Sequence, residues 1–102
     1  MVGIDLVHIP EFQQQLKTAG KKMVDLTFNP SELTSMKIEH LAGVWAAKEA
    51  VIKASDRVPK KLTDILISYD QAGKPSAKVD GISYAVSISH HGDYAVAVAV
   101  RN

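Results

Sequence analysis

Two acidic side chains, Asp5 and Glu49, stand in stretches of the sequence that are otherwise largely apolar. Asp5 interrupts the aliphatic run Val2–Val7, and Glu49 lies inside the alanine-rich run Trp45–Ala54. A buried carboxylate costs free energy unless a cation or hydrogen bonds compensate for its lost hydration. If the two carboxylates converge, they offer two oxygen ligands that phosphate oxygens and water can complete, which is the environment that Mg²⁺ prefers.

Lysines accompany the second acid, because Lys48 and Lys53 flank the helix face that would carry Glu49. One carboxylate between two ammonium groups predicts a binding site for a metal ion and a polyphosphate. Two plainer interpretations remain open from the residues alone. Glu49 and Lys53 can pair one helical turn apart on a solvated face, and Asp5 can be a turn or capping acid.

Histidines supply a further candidate at a predicted strand end. His90 could be a third polar group at the rim of the same site, although a histidine in a hairpin turn is more often exposed to solvent. A zinc module built on His90 and His91 has little support in a chain without cysteine. His8, close to Pro10, is interpreted as a capping residue. The sequence signatures of zinc peptidases, serine hydrolases and nucleotide-binding loops are missing.

The run around Glu49 predicts the second half of one long helix that begins near Lys37 and ends at Ala54. Alanine, leucine, lysine and glutamate favour helix and no proline interrupts the run, although Gly43 weakens it. At about 100° per residue, the apolar side chains form a stripe that also contains Glu49. Its predicted members, which include a core tryptophan, are Ile38, Leu41, Ala42, Trp45 and Ile52.

Alternating residues predict a sheet that this helix covers. In the first strand Asp5 points away from the aliphatic side chains, and in the last strand Ala95, Ala97 and Ala99 form a thin face that a helix can approach closely. We therefore predict one α+β domain, residues 1–102, with a mainly antiparallel sheet and the long helix across its last hairpin. The other predicted segments are a short helix that begins at Pro10 and ends just before Gly20, and strands at Ile65–Asp70, Ala77–Val79, Tyr84–Ser89 and Tyr94–Val100.

Composition bounds the function classes. A net charge of +1 argues for neither a nucleic-acid nor a membrane-surface partner, and no apolar run approaches the roughly 20 residues of a spanning helix. The absence of cysteine is compatible with a cytoplasmic location, and the N-terminus does not have the pattern of a signal peptide. A chain of 102 residues has a thin core, so stabilisation by oligomerisation is expected.

Several blocks of sequence occur in a fixed order between Val2 and Val100. They are Gly3-Ile4-Asp5-Leu6-Val7, Phe28 with Ser31-Glu32, Leu41-Ala42-Gly43, Trp45-Ala46-Ala47-Lys48-Glu49-Ala50 with Lys53-Ala54, Gly73-Lys74-Pro75, Val86-Ser87-Ile88-Ser89-His90 and Tyr94-Ala95-Val96-Ala97. Together they closely resemble a holo-acyl-carrier-protein synthase, the short form of the 4′-phosphopantetheinyl transferases.

The resemblance implies magnesium-dependent transfer of the 4′-phosphopantetheine arm of coenzyme A to a serine of an apo acyl carrier protein, with release of adenosine 3′,5′-bisphosphate. The acceptor could also be a carrier domain of a fatty-acid or polyketide synthase. Asp5 and Glu49 are the implied magnesium ligands, and Lys53 lies near the attacking hydroxyl as base or phosphate ligand. A homotrimer with active sites between neighbouring protomers is also implied. The implied contacts to coenzyme A are Lys48, Trp45, Ser89, His90, Gly73, Lys74 and Pro75.

Two departures from the family pattern bear on these expectations. Family members usually carry an arginine that contacts the coenzyme A 3′-phosphate where this chain has Val44, and the first helix presents Gln13–Gln15 in place of arginines that grip the carrier. The alternative expectation is therefore a non-catalytic trimeric module of the same fold that binds coenzyme A or a carrier protein.

Overall fold

Five antiparallel strands form one sheet, and a helix of 17 residues packs across it. The computed structural model describes residues 1–102, and the predicted α+β class is confirmed. In chain order the elements are β1 (Val2–His8), α1 (Ile9–Ala19), α2 (Lys21–Thr27), a 3-10 turn (Pro30–Glu32), α3 (Ile38–Ala54), a second 3-10 turn (Leu62–Asp64), β2 (Leu66–Tyr69), β3 (Pro75–Val79), β4 (Ile82–His91) and β5 (Tyr94–Arg101).

The strand order β1-β5-β4-β3-β2 places β1 at one edge of the sheet, beside β5. Asp5 pairs with Ala97, which in turn pairs with Ile88 of β4. Because directly paired residues point to the same face, this row of side chains faces α3. The row carries Asp5 toward the helix that holds Glu49.

The approach of α3 to the sheet is unusually close because small residues line the contact. Ala95, Ala97 and Ala99 are fully buried, as the thin alanine face predicted. At Gly3 a Cβ atom would lie 1.9 Å from the carbonyl oxygen of Ala50, so only glycine fits there. The backbones of β1 and α3 therefore touch two residues from Asp5 and one residue from Glu49.

The predicted apolar stripe of α3 packs against the core, but it is not the most deeply buried side of the helix. Leu41 and Ala42 are buried, but Ile38, Trp45 and Ile52 are only partly so. The helix is instead buried around most of its circumference, because the sheet, α1 and the loops all pack on it. Glu49, also half-buried, lies with Ile38, Trp45 and Ile52 on the less buried side of the helix, within the predicted stripe.

The N-terminal helices differ from expectation in two places. Residues Lys21–Thr27 form α2, which the sequence did not predict because the segment is short and lacks a clear apolar period; Gly20, at φ 61°, separates it from α1. His8 is the N-cap residue of α1, as predicted, but its side chain makes no capping hydrogen bond.

The face of the sheet opposite α3 is apolar and uncovered. Ile4 and Leu6 of β1 are 58% and 62% exposed, and Val96 and Val98 of β5 are partly exposed beside them. The aliphatic face of the first strand is thus the face turned away from the helix. No helix of the chain is both long and apolar enough to cross a membrane.

Candidate active site

Asp5 and Glu49 line one cleft at the β1 edge of the sheet, as predicted from their positions in the sequence. The strand supplies Asp5 from its middle, and α3 supplies Glu49 one residue before the close contact between Ala50 and Gly3. The cleft has a volume of about 240 Å³. It is lined by Asp5, Leu6, Val7, His8, Glu11, Phe12, Gln15, Trp45 and Glu49.

Lys53 holds the carboxylate of Asp5. Its Nζ atom lies 3.2 Å from Asp5 Oδ1 and donates to the Ile4 carbonyl oxygen at 3.0 Å. Burial raises the pKa of Asp5; the hydrogen bond and charge of Lys53 oppose this rise, and the nearby charge of Glu49 adds to it. Asp5 is therefore neither a turn nor a capping acid. Its carboxylate forms an ion pair with Lys53.

Glu49 is held by a different kind of group. The indole nitrogen of Trp45 donates to Glu49 Oε1 at 2.9 Å, one helical turn away. Lys53 is occupied by Asp5, so the interpretation of Glu49 and Lys53 as a simple surface ion pair is wrong. Oε2 of Glu49 has no hydrogen-bond partner within the chain and is free to face the cleft.

This donor set suits a divalent cation that binds through oxygen. Two carboxylates repel each other at close range, as the effect of Glu49 on the pKa of Asp5 shows, and a cation between them removes that cost. Magnesium commonly takes one or two protein carboxylates and completes its shell with water and substrate phosphates. No group of three or more histidine and acidic side chains is placed to hold one ion.

Lys48 lies in the core and not in the cleft. Its side chain is fully buried, with Nζ 2.7 Å from Glu32 Oε1 and donating to the carbonyl oxygens of Thr27 and Leu62. Burial lowers the pKa of Lys48, while the hydrogen bond and charge of Glu32 act against that fall. Three oxygens take its three protons, so the predicted phosphate contact is wrong for this geometry.

A second cavity, of about 370 Å³, gathers part of the predicted coenzyme A set. Gly73 lines it from the turn between β2 and β3, Pro75 lines it from the start of β3, and His90 lines it from the end of β4. His90 Nε2 lies 2.8 Å from the Glu39 carbonyl oxygen, and Gly43 leaves room for the ring, since a Cβ there would lie 3.0 Å from Nε2. Helix α3 therefore carries a glycine where β4 comes closest.

The remaining predicted contacts lie outside this second cavity. Trp45 lines the cleft of the two acids, Lys74 is exposed in the turn, and Ser89 points to the uncovered face of the sheet. His90 and His91 are adjacent in β4 and so point to opposite faces, which rules out the zinc module.

The two cavities lie on opposite flanks of α3. Gly43 lines the second cavity and Trp45 lines the first, and at about 100° per residue positions 43 and 45 are about 200° apart around the helix axis. The cavities share no residue. Within one protomer the helix therefore separates the acids from Gly73, Pro75 and His90.

Sequence reasoning missed two partners of these residues. The hydrogen bond from Trp45 to Glu49 was detectable, because side chains four residues apart on a helix are neighbours and an indole is a donor. The pairing of Lys48 with Glu32 was not detectable, because nothing in the sequence relates residues 16 positions apart across a turn and a loop.

Comparison with known proteins gives a consistent result. The family model of the 4′-phosphopantetheinyl transferase superfamily matches residues 1–99. Holo-[acyl-carrier-protein] synthase of Mycobacterium tuberculosis (strain ATCC 25618 / H37Rv) is 38% identical over 122 aligned positions, covering 97% of this chain and 93% of that protein.

Solved structures show the same likeness. Helicobacter pylori holo-[acyl-carrier-protein] synthase in complex with coenzyme A is similar with a TM-score of 0.91, at 31% identity and full coverage of both chains. The coenzyme A complex of the Chronobacterium ammoniagenes protein has a TM-score of 0.79 at 35% identity, covering 96% of this chain and 92% of that one.

Proposed function

The chain belongs to the 4′-phosphopantetheinyl transferase superfamily, in its holo-[acyl-carrier-protein] synthase branch, and on that premise we propose that it transfers 4′-phosphopantetheine from coenzyme A to a serine of an apo acyl carrier protein or carrier domain. The relatives supply the substrate class, since two of them are complexes with coenzyme A. The reaction takes place in the cytoplasm and releases adenosine 3′,5′-bisphosphate.

The observation that carries this proposal is the shared cleft of Asp5 and Glu49. One carboxylate is held by Lys53 and the other keeps Oε2 free, so the pair can hold Mg²⁺ while the remaining positions go to water and phosphate oxygens. When bound, magnesium would neutralise the negative charge that develops on the pyrophosphate during the reaction.

The chain's own residues complete the chemistry. The serine oxygen forms a bond to the phosphorus that bears the pantetheine arm, and the bond from that phosphorus to the bridging oxygen breaks, its electron pair leaving on the nucleotide. Lys53, whose side chain is about half exposed beside Asp5, contacts the phosphate oxygens as an ammonium group, or takes up the serine proton as a free amine, a role that water can also fill. Fixed positive charge of this kind stabilises the transition state because it needs no reorganisation during the reaction.

The same proposal includes a homotrimer with the active site between protomers. Its support is twofold. The residues expected to contact coenzyme A, Gly73, Pro75 and His90, lie across α3 from the acids, so a neighbouring protomer must bring the two sets together. The uncovered apolar face of β1 and β5 provides the surface for such an assembly.

The direct test incubates the protein with coenzyme A, Mg²⁺ and an apo acyl carrier protein, and follows the mass of the carrier by mass spectrometry. We expect the mass of the phosphopantetheine arm to be added, the addition to stop with a chelator, and Asp5→Ala or Glu49→Ala to slow it about a hundredfold or more. Lys78→Ala, exposed on β3 and outside both cavities, is the matched control for loss of a charged residue.

Two results would count against the proposal. Modification at near wild-type rate in either acid variant rejects the role of the carboxylates. Binding of coenzyme A or of the carrier without any added mass favours the non-catalytic module instead.

A further inference from the structure

Trp45 holds Glu49 in a way that leaves the carboxylate available to a cation. Its indole N–H donates to Oε1 at 2.9 Å and leaves Oε2 without a protein partner. An indole nitrogen can donate one hydrogen bond but cannot accept one and carries no charge. It therefore fixes the carboxylate without competing with a cation for it, unlike the ammonium of Lys53 on Asp5.

The indole is itself fixed by its surroundings. The ring of Phe12, from α1, packs edge-on against it with ring centroids 4.7 Å apart and an angle of 62° between the planes. Phe12 is 2% exposed and belongs to the core. Phe12 of α1 thus packs on the indole of Trp45, and the direction of the indole N–H is set by this packing before any ligand arrives.

The position of Trp45 supports this role over a contact to coenzyme A. The side chain lines the cleft of Asp5 and Glu49, and it points away from the flank of α3 where Gly43 and His90 line the second cavity. The hydrogen bond spans one turn of a single helix, so it persists whatever the assembly state.

We infer that Trp45 is a positioning residue for the divalent cation: its N–H and its packing on Phe12 orient Glu49 so that Oε2 points into the cleft. This inference rests on the proposed function, because it assumes that Asp5 and Glu49 hold the ion. Outer partners that orient a ligating side chain typically contribute 10- to 100-fold to metal affinity, and the same scale, about 10- to 100-fold, is expected here.

The test exploits the fact that the chain contains a single tryptophan. Trp45 is replaced by 3-benzothienylalanine, in which sulfur takes the place of the indole N–H and the ring keeps its shape. The matched control carries 5-fluorotryptophan at position 45, which keeps the N–H. Trp45→Phe is a second, genetically simple variant that keeps an aromatic ring against Phe12.

The measurement is the affinity for Mn²⁺ in the absence of substrates, from the free-ion signal in electron paramagnetic resonance. Circular dichroism confirms that each protein is folded. We expect the benzothienyl and phenylalanine proteins to bind Mn²⁺ about 10- to 100-fold more weakly than wild type, and the fluorotryptophan control to bind it normally. In the transfer assay, saturating metal should largely restore the maximal rate of the benzothienyl protein, because only ligand orientation is lost.

Other results would distinguish a failure of the role of Trp45 from a failure of the cation site. If Glu49→Gln abolishes Mn²⁺ binding but the benzothienyl protein binds as tightly as wild type, the role of Trp45 is rejected and the proposed function stands. If wild type binds no Mn²⁺, or binds it equally well after both Asp5→Asn and Glu49→Gln, the cation site itself is rejected and the role of Trp45 falls with it.

Discussion

Lys48 and Lys53 are both near Glu49 in sequence, yet they have unlike surroundings. Lys53 is half exposed and contacts Asp5, which lines the cleft, whereas Lys48 is fully buried with Glu32. A charge in the core is tolerated because its partners are complete: the Glu32 carboxylate also accepts from the backbone N–H groups of Asn29 and Ile67. This ion pair joins α3 to the segments before and after it, so its role is structural.

Replacing Lys48 by Met tests that role. Removing one partner of a buried ion pair leaves an uncompensated charge, and we expect Lys48→Met to lower the free energy of unfolding by about 3–5 kcal/mol. Urea denaturation measures this loss. The KM for coenzyme A, assayed where the variant remains folded, should be unchanged. If Lys48→Met has normal stability and a raised KM for coenzyme A, the predicted contact between Lys48 and a phosphate would be correct after all.

The acidity of Asp5 predicts how stability depends on pH. Its pKa is raised above the ordinary value of 3.8, chiefly by burial. The folded chain therefore holds this proton more tightly than the unfolded chain, and the contribution of Asp5 to stability is lost as pH rises from about 3.8 through the raised pKa. At neutral pH the ionised carboxylate is a net cost in the metal-free chain.

Asp5→Asn should accordingly unfold at the same temperature as wild type, or a higher one, at pH 7 without metal, and the difference should shrink toward acidic pH. Thermal scans across this range measure it. Added Mg²⁺ should raise the midpoint of wild type but not of the variant. An Asn variant that becomes progressively less stable than wild type as pH rises would mean that the pairing with Lys53 outweighs burial.

At the scale of elements, two glycines set the distances between α3 and the strands. Gly3 allows backbone contact with Ala50, whereas the close neighbours of a Cβ at Gly43 are the side chains of Ile88 and His90. Backbone cannot move aside as a side chain can. The first contact fixes the separation of β1 and α3, and hence of the two acids, while the second fixes His90 at the other cavity.

Gly3→Ala and Gly43→Ala should therefore behave differently. We expect Gly3→Ala to lower the free energy of unfolding by at least about 1–3 kcal/mol through overpacking, and to weaken Mn²⁺ binding. Gly43→Ala gains about 1 kcal/mol in helix propensity against a modest clash, so its stability should change little while its KM for coenzyme A rises. Equal stability losses in the two variants, measured by urea denaturation, would contradict this assignment.

Much of this arrangement was predictable because it depends on local periodicity. The helix ending at Ala54, the alternation of β1 and β5, and the alanine face all follow from spacing, and they suffice to bring Asp5 near Glu49. The direction of Lys48 was not predictable, since it depends on Glu32, a partner whose approach is set by tertiary packing. Segment Lys21–Thr27 lacks a clear apolar period and is helical because it packs on α1 and the second 3-10 turn.

At the scale of the whole molecule, the apolar face of the sheet opposite α3 is uncovered in the single chain. Val2, Ile4 and Leu6 of β1 and Val100 of β5 are each at least 45% exposed on this face. A contiguous apolar surface of this kind is typical of an assembly interface. The proposed trimer would cover it and would place the second cavity of one protomer near the acids of another.

Ile4→Lys tests the assembly. A charge at the centre of this face should dissociate the protein to monomers, as measured by sedimentation velocity, and transfer activity should fall with it even though Asp5 and Glu49 are intact. Ser68→Lys, which adds the same charge on the far edge of the sheet, is the matched control and should leave both unchanged. A monomeric variant with full activity would show that one protomer contains the complete site.

The central claim is that Asp5 and Glu49 together hold a divalent cation against the pyrophosphate of coenzyme A. Its most direct test is an anomalous difference map from crystals grown with Mn²⁺ and coenzyme A. We predict a peak about 2.1 Å from a carboxylate oxygen of Asp5 and from Oε2 of Glu49, with phosphate oxygens completing its shell. A peak away from both carboxylates, or an ordered coenzyme A pyrophosphate with no ion at this cleft, would contradict it.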